Sequence, residues 1–97
     1  SPIVFDGELG RIYENSEVTC LIEDVILNRR IIIEKSGSLS TAVWNPWAAK
    51  AATMDDISQD GWKRMVCVES ANALDNVVIV KANESHFLSA TYSVESL

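Results

Sequence analysis

The sequence predicts an all-β, antiparallel, sandwich-like fold with one short helical insertion. Three observations support this class. Apolar and polar residues alternate through residues 18–23 and 86–95, with the two-residue period of a half-buried strand. β-Branched residues crowd residues 29–35, where they favour strand over helix. Turn-forming residues such as Ser36-Gly37-Ser38 separate the apolar segments.

The strands can be placed in chain order. We expect them at residues 3–5, 11–13, 18–23, 29–35, 39–44, 65–70, 76–81 and 86–95. The turn at 24–28 and the tighter turn at 36–38 predict three consecutive antiparallel strands, the last two forming a hairpin.

The strand pattern breaks at Asn45-Pro46-Trp47, because proline cannot donate to a strand ladder and restricts the residue before it. The alanine-rich stretch from residue 48 to 54 then has the best helix propensity in the chain. An acidic loop follows at residues 55–61. The insertion therefore separates two groups of strands.

Length and composition indicate one small folded domain, residues 1–97. The chain is 47% hydrophobic and 23% charged, which argues against disorder and coiled coil. No apolar run approaches the roughly 20 residues of a membrane-spanning helix, so we expect no membrane partner.

The charge balance argues against a nucleic-acid partner. Fourteen acidic residues outnumber eight basic ones, giving a formal net charge of −6. A protein that binds nucleic acid needs a basic face to displace counterions from phosphates. The basic residues of this chain are instead dispersed, and neither of the two adjacent pairs, Arg29-Arg30 and Lys63-Arg64, is interleaved with stacking aromatic residues.

The two cysteines, Cys20 and Cys67, have apolar neighbours and are expected to be reduced thiols within strands. A single histidine cannot build a zinc site, and we expect no metal and no cofactor. No signal peptide is visible, although the chain starts at Ser1 rather than Met. We therefore expect a cytoplasmic protein.

Glu69 is the most informative single residue. It shares a strand face with Met65 and Cys67, while Val66 and Val68 lie on the other face. Two apolar faces predict a central, buried strand, and a buried carboxylate tends to have a raised pKa and to transfer protons. The alternative is that Glu69 marks the strand exit and simply meets water.

The other candidate residues each have a structural interpretation as well as a functional one. His86 opens the last strand, but a lone histidine is more often a surface or capping residue than a catalyst. Trp44, Trp47 and Trp62 cluster around the helical insertion, either as an aromatic platform for a sugar or as core. The aspartates at residues 55–60 lack the spacing of a calcium loop and are expected to be solvated.

Several motifs occur together in order: residues 5–8, 11–13, 43–47 with Lys50, 54–56, and 65–69 with Ala71-Asn72-Ala73. This series resembles the C-terminal part of the D-hexose-6-phosphate mutarotases (glucose-6-phosphate 1-epimerases), in the aldose 1-epimerase superfamily. The resemblance runs over essentially the whole chain but covers only the last third or so of such an enzyme. It implies part of the antiparallel supersandwich typical of galactose mutarotases.

The resemblance also implies a mechanism and a site. In the family, the glutamate at the end of the Val-Cys-Val-Glu strand, here Glu69, is the general base on the anomeric hydroxyl. A histidine acid protonates the ring oxygen, the ring opens, C1 rotates, and closure gives the other anomer. The resemblance further implies substrate binding by Arg11, Trp44 and Asn45, with a hexose or hexose phosphate as the ligand.

The chain departs from the family pattern in two ways. The family's acid histidine and phosphate-binding arginines lie in an N-terminal part with no counterpart here, and His86 does not stand at the acid position. A substrate-binding aspartate of the family is replaced by Gly10. We therefore expect a fragment or truncated homologue with little or no activity alone. The alternative is a stand-alone, non-catalytic carbohydrate-binding or assembly module.

Strands that are apolar on both faces need cover on both faces, and about a hundred residues can hardly provide it alone. Ile31-Ile32-Ile33 is one such segment. We therefore expect a homodimer, with a compact monomer as the alternative.

Overall fold

A computed structural model describes residues 3–4 and 7–97 of the chain. Its regular elements are β1 Leu9–Tyr13, β2 Cys20–Asp24, β3 Arg29–Ser36, β4 Ser40–Asn45, the helix α1 Trp47–Ala51, β5 Cys67–Ala71 and β6 Ser89–Ser96. Two short 3₁₀ turns occupy Gly61–Arg64 and Leu74–Asn76. All strand pairs are antiparallel, and the sandwich-like all-β class with one short helix is confirmed.

The strands form two three-stranded sheets. Sheet 1 has the order β1-β4-β5, and sheet 2 has the order β2-β3-β6. The four-residue turn between β2 and β3 connects neighbours in sheet 2, as predicted. The first expected strand, at residues 3–5, ends at Phe5, which lies outside the described residues. Ile3 and Val4 belong to no regular element.

The prediction that β3 and β4 form a hairpin is wrong. The two strands lie in different sheets, with β4 pairing with β1 and β5 rather than with β3. The link does turn at Gly37, whose φ of +72° suits glycine. Ser38 is buried there and donates a hydrogen bond to the carbonyl oxygen of Ala71 in β5, at 2.6 Å. This bond directs the chain into sheet 1.

Two other strand predictions need correction. Residues 77–81 form no strand although they are rich in valine and isoleucine, because a strand needs a backbone partner and the sheets place none beside them. The last strand begins at Ser89 rather than at His86. Its first pair, Ser36 with Ser89, marks where β3 ends, so the residues before Ser89 have no opposing strand residue.

Asn45 organises the corner between β4 and α1. Its side chain is 4% exposed and its amide donates to the carbonyl oxygens of Trp62, at 2.9 Å, and Met65, at 2.7 Å. Its Oδ1 accepts the backbone N–H of Trp47 at 2.8 Å. Trp47 has a φ of 61°, a left-handed conformation that bulky residues rarely adopt. The three hydrogen bonds hold the strained corner in place.

The hydrophobic core is small. Among the described residues, the buried apolar side chains are Ile33, Val43, Pro46 and Ala51. The accessible surface is 7123 Å², whereas a compact protein of this mass exposes about 5,500 Å². The radius of gyration is 15.5 Å, against about 13 Å for a compact domain of 100 residues. The chain therefore leaves apolar surface uncovered.

Within the described residues, no helix has the length and hydrophobicity needed to cross a lipid bilayer.

Candidate functional site

Glu69 lies in β5 and projects from an open face of sheet 1. Directly opposed residues share a face, so the register puts Glu69 in a row with Ala42 of β4 and Ile12 of β1. The side chain of Glu69 is exposed. β5 is an edge strand rather than the expected central one, because β4 occupies the middle of the sheet. The predicted burial of Glu69 is therefore wrong, and its carboxylate is accessible to a ligand.

Trp44 lies on the same face as Glu69. It stands opposite Cys67 in β5 and opposite Gly10 in β1, one row away from Glu69. Diagonal neighbours on antiparallel strands lie about 7–8 Å apart. Trp44 is half-buried, so part of its indole faces solvent. A carboxylate and an indole at this spacing can contact one sugar ring together.

Gly10 lies beside the Trp44 indole. A β-carbon built on Gly10 would lie 3.4 Å from Cδ1 of Trp44, which is ordinary van der Waals contact. The Trp44 side chain therefore covers the side-chain-free position of β1. Gly10, Trp44 and Glu69 together form what we call the open face of sheet 1.

Cys67 completes this face and is half-buried. Burial raises the pKa of the Cys67 thiol, and the nearby Glu69 carboxylate raises that pKa further. The thiol thus stays protonated at neutral pH. Cys20 and Cys67 are both free and both lie in strands, as predicted.

The other two predicted binding residues lie on the opposite face of sheet 1. Arg11 pairs with Val43, so Arg11 and Asn45 share the face that carries Val43. Arg11 is exposed, whereas the polar atoms of Asn45 are engaged by the backbone of the corner described above. The structure therefore brings Glu69 and Trp44 together and separates them from Arg11 and Asn45. Substrate binding by these residues stays a prediction.

The aromatic cluster predicted around the insertion forms only in part. The rings of Trp47 and Trp62 lie 4.7 Å apart between centroids, tilted by 47°. The Lys63 ammonium lies 5.6 Å from the centre of the Trp62 ring, within cation–π range. Trp44 belongs to the open face instead. The neighbouring aspartates Asp55, Asp56 and Asp60 are exposed, as expected for a solvated loop.

His86 is engaged away from Glu69. Its Nε2 forms a 2.7 Å hydrogen bond with the carbonyl oxygen of Gly37, at the turn that follows β3. This contact fixes the segment before β6 to the β3–β4 link. His86 is therefore a structural residue at a turn, in agreement with the plainer of its two readings.

The sequence reasoning missed Lys35. This lysine extends from β3 of sheet 2 and donates to the carbonyl oxygen of Ser40 and to Oγ1 of Thr41, both at 2.9 Å and both in β4. Burial lowers the pKa of Lys35. Its position on the Ile31–Ile33 face of β3 is the signal that could have revealed a lysine turned inward.

Comparison with known proteins identifies the family. The aldose 1-epimerase family pattern matches residues 1–93. The chain belongs to the aldose 1-epimerase family. The resemblance predicted from the ordered motifs is thus confirmed, and Glu69, Trp44 and Gly10 all lie within the matched stretch.

Three curated relatives carry the same printed name, "Putative glucose-6-phosphate 1-epimerase". The Escherichia coli K12 protein is 34% identical over 82 residues, covering 84% of this chain and 28% of that protein. The Cenchrus ciliaris protein is 33% identical, covering 84% of this chain and 25% of its own length. The Salmonella typhimurium LT2 protein is 38% identical, covering 71% of this chain and 24% of its own length.

The chain therefore spans about a quarter of the length of the curated relatives it matches. No solved structure matches it.

Proposed function

We propose that this chain carries the general base of a hexose-6-phosphate mutarotase site, with Glu69 as the base and Trp44 as a contact for the sugar ring. The observation that carries the proposal is the open face of sheet 1, where an exposed carboxylate lies one row from a half-buried indole. The family match supports the reaction class, and the relatives' printed name supports a hexose phosphate as the substrate.

In this reaction the Glu69 carboxylate takes the proton of the anomeric hydroxyl while the bond between C1 and the ring oxygen breaks. The ring oxygen receives a proton from an acid, which the resemblance assigns to a histidine outside the matched stretch. After rotation about the C1–C2 bond, the sugar hydroxyl freed by ring opening attacks the other face of the aldehyde and gives its proton back to the acid, while Glu69 returns its proton to the new anomeric oxygen. General acid and general base each contribute about 10²–10⁴-fold to such a rate.

We expect little mutarotation by this chain on its own, because the histidine acid that the resemblance implies lies outside the matched stretch. The chain's single histidine is His86, and its Nε2 is bonded to the Gly37 carbonyl at the far end of β3. This observation favours the second candidate function, a carbohydrate-binding module that binds a sugar on the open face without interconverting its anomers. Both candidate functions use the open face of sheet 1, and they differ in whether the chain catalyses the reaction.

A titration of the ¹⁵N-labelled chain with glucose 6-phosphate tests the shared part. We expect amide shifts at Gly10, Cys67 and Glu69 and a shift of the Trp44 indole N–H. Replacing Glu69 by Gln removes a charge-assisted hydrogen bond and should weaken binding by about tenfold or more. The matched control is Glu34→Gln, an exposed glutamate in sheet 2. Amide shifts confined to sheet 2, or an equal loss of affinity for glucose 6-phosphate in both variants, would contradict the proposal.

Exchange NMR between the two anomers separates the candidates. The binding module predicts an anomerisation rate equal to that of buffer, with and without Glu69. A rate well above buffer that Glu69→Gln abolishes would instead make the chain a catalyst in its own right. A fast rate that survives Glu69→Gln would remove Glu69 from the mechanism.

Two further expectations enter here as proposals. We propose that the chain pairs as a homodimer, supported by the apolar surface that it leaves uncovered. We also propose a cytoplasmic location, which suits two free thiols and a phosphorylated sugar substrate.

A further inference from the structure

The open face of sheet 1 has room for one small ring. Two of its rows are at least partly exposed, and they consist of Gly10, Trp44 and Cys67 in one and Ile12, Ala42 and Glu69 in the other. The next row is closed, because Ser40 is fully buried and its hydroxyl oxygen lies 3.2 Å from both the Ala73 carbonyl oxygen and Oδ1 of Asn76. Two rows across three strands cover about 7 Å by 10 Å. That area suits a single pyranose ring.

The charge on this face is negative. Among its described strand residues, Glu69 is the one that is charged at neutral pH, since the Cys67 thiol stays protonated. Burial raises the pKa of that thiol, and the Glu69 carboxylate raises the pKa further. Glu69 therefore already disfavours a second negative charge beside it. At the closed end, Glu14 accepts the backbone N–H of Asp75 at 3.1 Å, which adds acidic residues there.

The basic residues lie elsewhere. All eight belong to the described part of the chain, and none occupies a strand position on the open face. Arg11 projects from the opposite face of the same sheet. Four others have oxygen partners other than Glu69, namely Arg29, Arg30, Lys35 and Lys63. The last three lie outside the strands: Lys50, Arg64 and Lys81. An anion on this face would meet Glu69 with no strand residue to neutralise it.

We propose that the open face of sheet 1 selects an uncharged hexose over the same sugar carrying a phosphate. The inference rests on the sugar site proposed above and names the class of ligand that this site prefers. The sugar ring packs on the Trp44 indole, and its anomeric hydroxyl donates a hydrogen bond to the Glu69 carboxylate. In a hexose phosphate, the phosphate must then be bound by groups outside this face.

Coulomb repulsion sets the size of the preference. A phosphate monoester carries a charge of about −1.5 to −2 at neutral pH. When the anomeric hydroxyl lies on Glu69, a phosphate at the other end of the hexose lies about 7 Å from the carboxylate, and repulsion through water then weakens binding by about fivefold. Salt screens this repulsion, because the Debye length falls from about 30 Å at 0.01 M to about 8 Å at 0.15 M.

NMR titrations of the ¹⁵N-labelled chain with glucose and with glucose 6-phosphate test the preference, with the Trp44 indole N–H and the Gly10 amide as reporters. At matched ionic strength of about 0.01 M we expect glucose to bind about fivefold more tightly, and at about 0.15 M the two affinities should approach each other. Glu69→Gln removes the repulsion and should bring the two dissociation constants within about twofold at low ionic strength. Glu34→Gln, in sheet 2, should keep the wild-type preference.

The contrary outcomes separate this preference from the sugar site itself. A glucose 6-phosphate dissociation constant equal to or below that of glucose, with both reporters shifted, would overturn the preference and leave the sugar site standing. A preference for glucose that survives Glu69→Gln would also overturn it, because the Glu69 charge would then not select the ligand. If neither sugar shifts the two reporters, the proposed sugar site is wrong and the preference is wrong with it.

Discussion

Gly37 lies directly against the backbone of Phe87, so closely that a β-carbon at position 37 would overlap the Phe87 carbonyl oxygen. Its φ of +72° adds a second reason for glycine. The contact ties the β3–β4 link to the segment before β6, and the bond from His86 to the Gly37 carbonyl reinforces it.

Replacing Gly37 by Ala should therefore lower the free energy of unfolding by at least about 1–3 kcal/mol, since both the close approach and the positive φ are lost. Gly10→Ala is the matched control. Its methyl group meets Trp44 at 3.4 Å, and removing a glycine from a strand should raise stability by about 0.5–1 kcal/mol. Urea unfolding measures both. Equal effects of the two substitutions would contradict the close packing at Gly37.

Gly10→Asp tests the one position of the open face that departs from the family pattern. An aspartate there would lie on the same face as Glu69, with room beside the Trp44 indole. If sugars bind on this face, the new carboxylate should accept a hydroxyl hydrogen bond and tighten glucose binding by about tenfold. NMR titration with glucose gives the dissociation constant, and Gly10→Ala serves as the control. An unchanged constant would argue that sugars bind elsewhere.

Asn45→Ala should destabilise the protein by about 2–4 kcal/mol, because two partly buried carbonyl oxygens and the Trp47 N–H lose their partners. Asn45→Asp keeps the acceptor for Trp47 but puts a carboxylate against two carbonyl oxygens, so it should cost at least as much. Thermal unfolding compares them. A change below 0.5 kcal/mol in Asn45→Ala, on the order of an ordinary surface substitution, would show that the corner does not depend on this side chain.

Asp24 should make stability depend on pH in the acid range. The backbone N–H of Leu27 and the Arg29 guanidinium lower the pKa of Asp24 below its ordinary value of 3.8. A lowered folded-state pKa contributes stability above the unfolded value, and the contribution is lost as pH falls below 3.8 towards the folded pKa. The loss of stability on acidification should be shallower in Asp24→Asn.

Asp56→Asn, in the exposed loop, is the control for this measurement and should keep the wild-type acid dependence. The urea midpoint of all three proteins between neutral pH and pH of about 3 provides the comparison. Identical curves for Asp24→Asn and the wild type would show that the Asp24 carboxylate has no part in acid stability.

The strand positions could be predicted from the sequence where side-chain alternation or β-branching was strong, as in β2 and β3. The partners of the strands could not. Ser36-Gly37-Ser38 has the composition of a hairpin turn, and only the bond from Ser38 to the Ala71 carbonyl shows that the chain crosses to the other sheet. Residues 77–81 have the propensity to form a strand but no partner strand beside them, and propensity alone cannot show that the partner is missing.

The candidate site, too, could be predicted from the sequence only in part. Alternation along β5 placed Glu69 on the face of Cys67, and that assignment is confirmed by the register. The separation of Arg11 from Glu69 follows only from the pairing of β1 with β4, because a shift by one residue moves a side chain to the other face. Exposure of Glu69 likewise depends on which strand occupies the middle of sheet 1.

The pairing of β3 with β6 has a consequence for the order in which the chain folds. The hairpin of β2 and β3 closes over a four-residue turn, whereas the pairs of β3 with β6 join residues 53 to 67 positions apart. Non-local pairs form slowly, because the entropy of closing the long loop is lost before the contacts form. During synthesis, β3 therefore keeps one edge unpaired until β6 emerges from the ribosome. Exposed strand edges recruit other strands, so we expect this interval to be when the growing chain is most prone to aggregate.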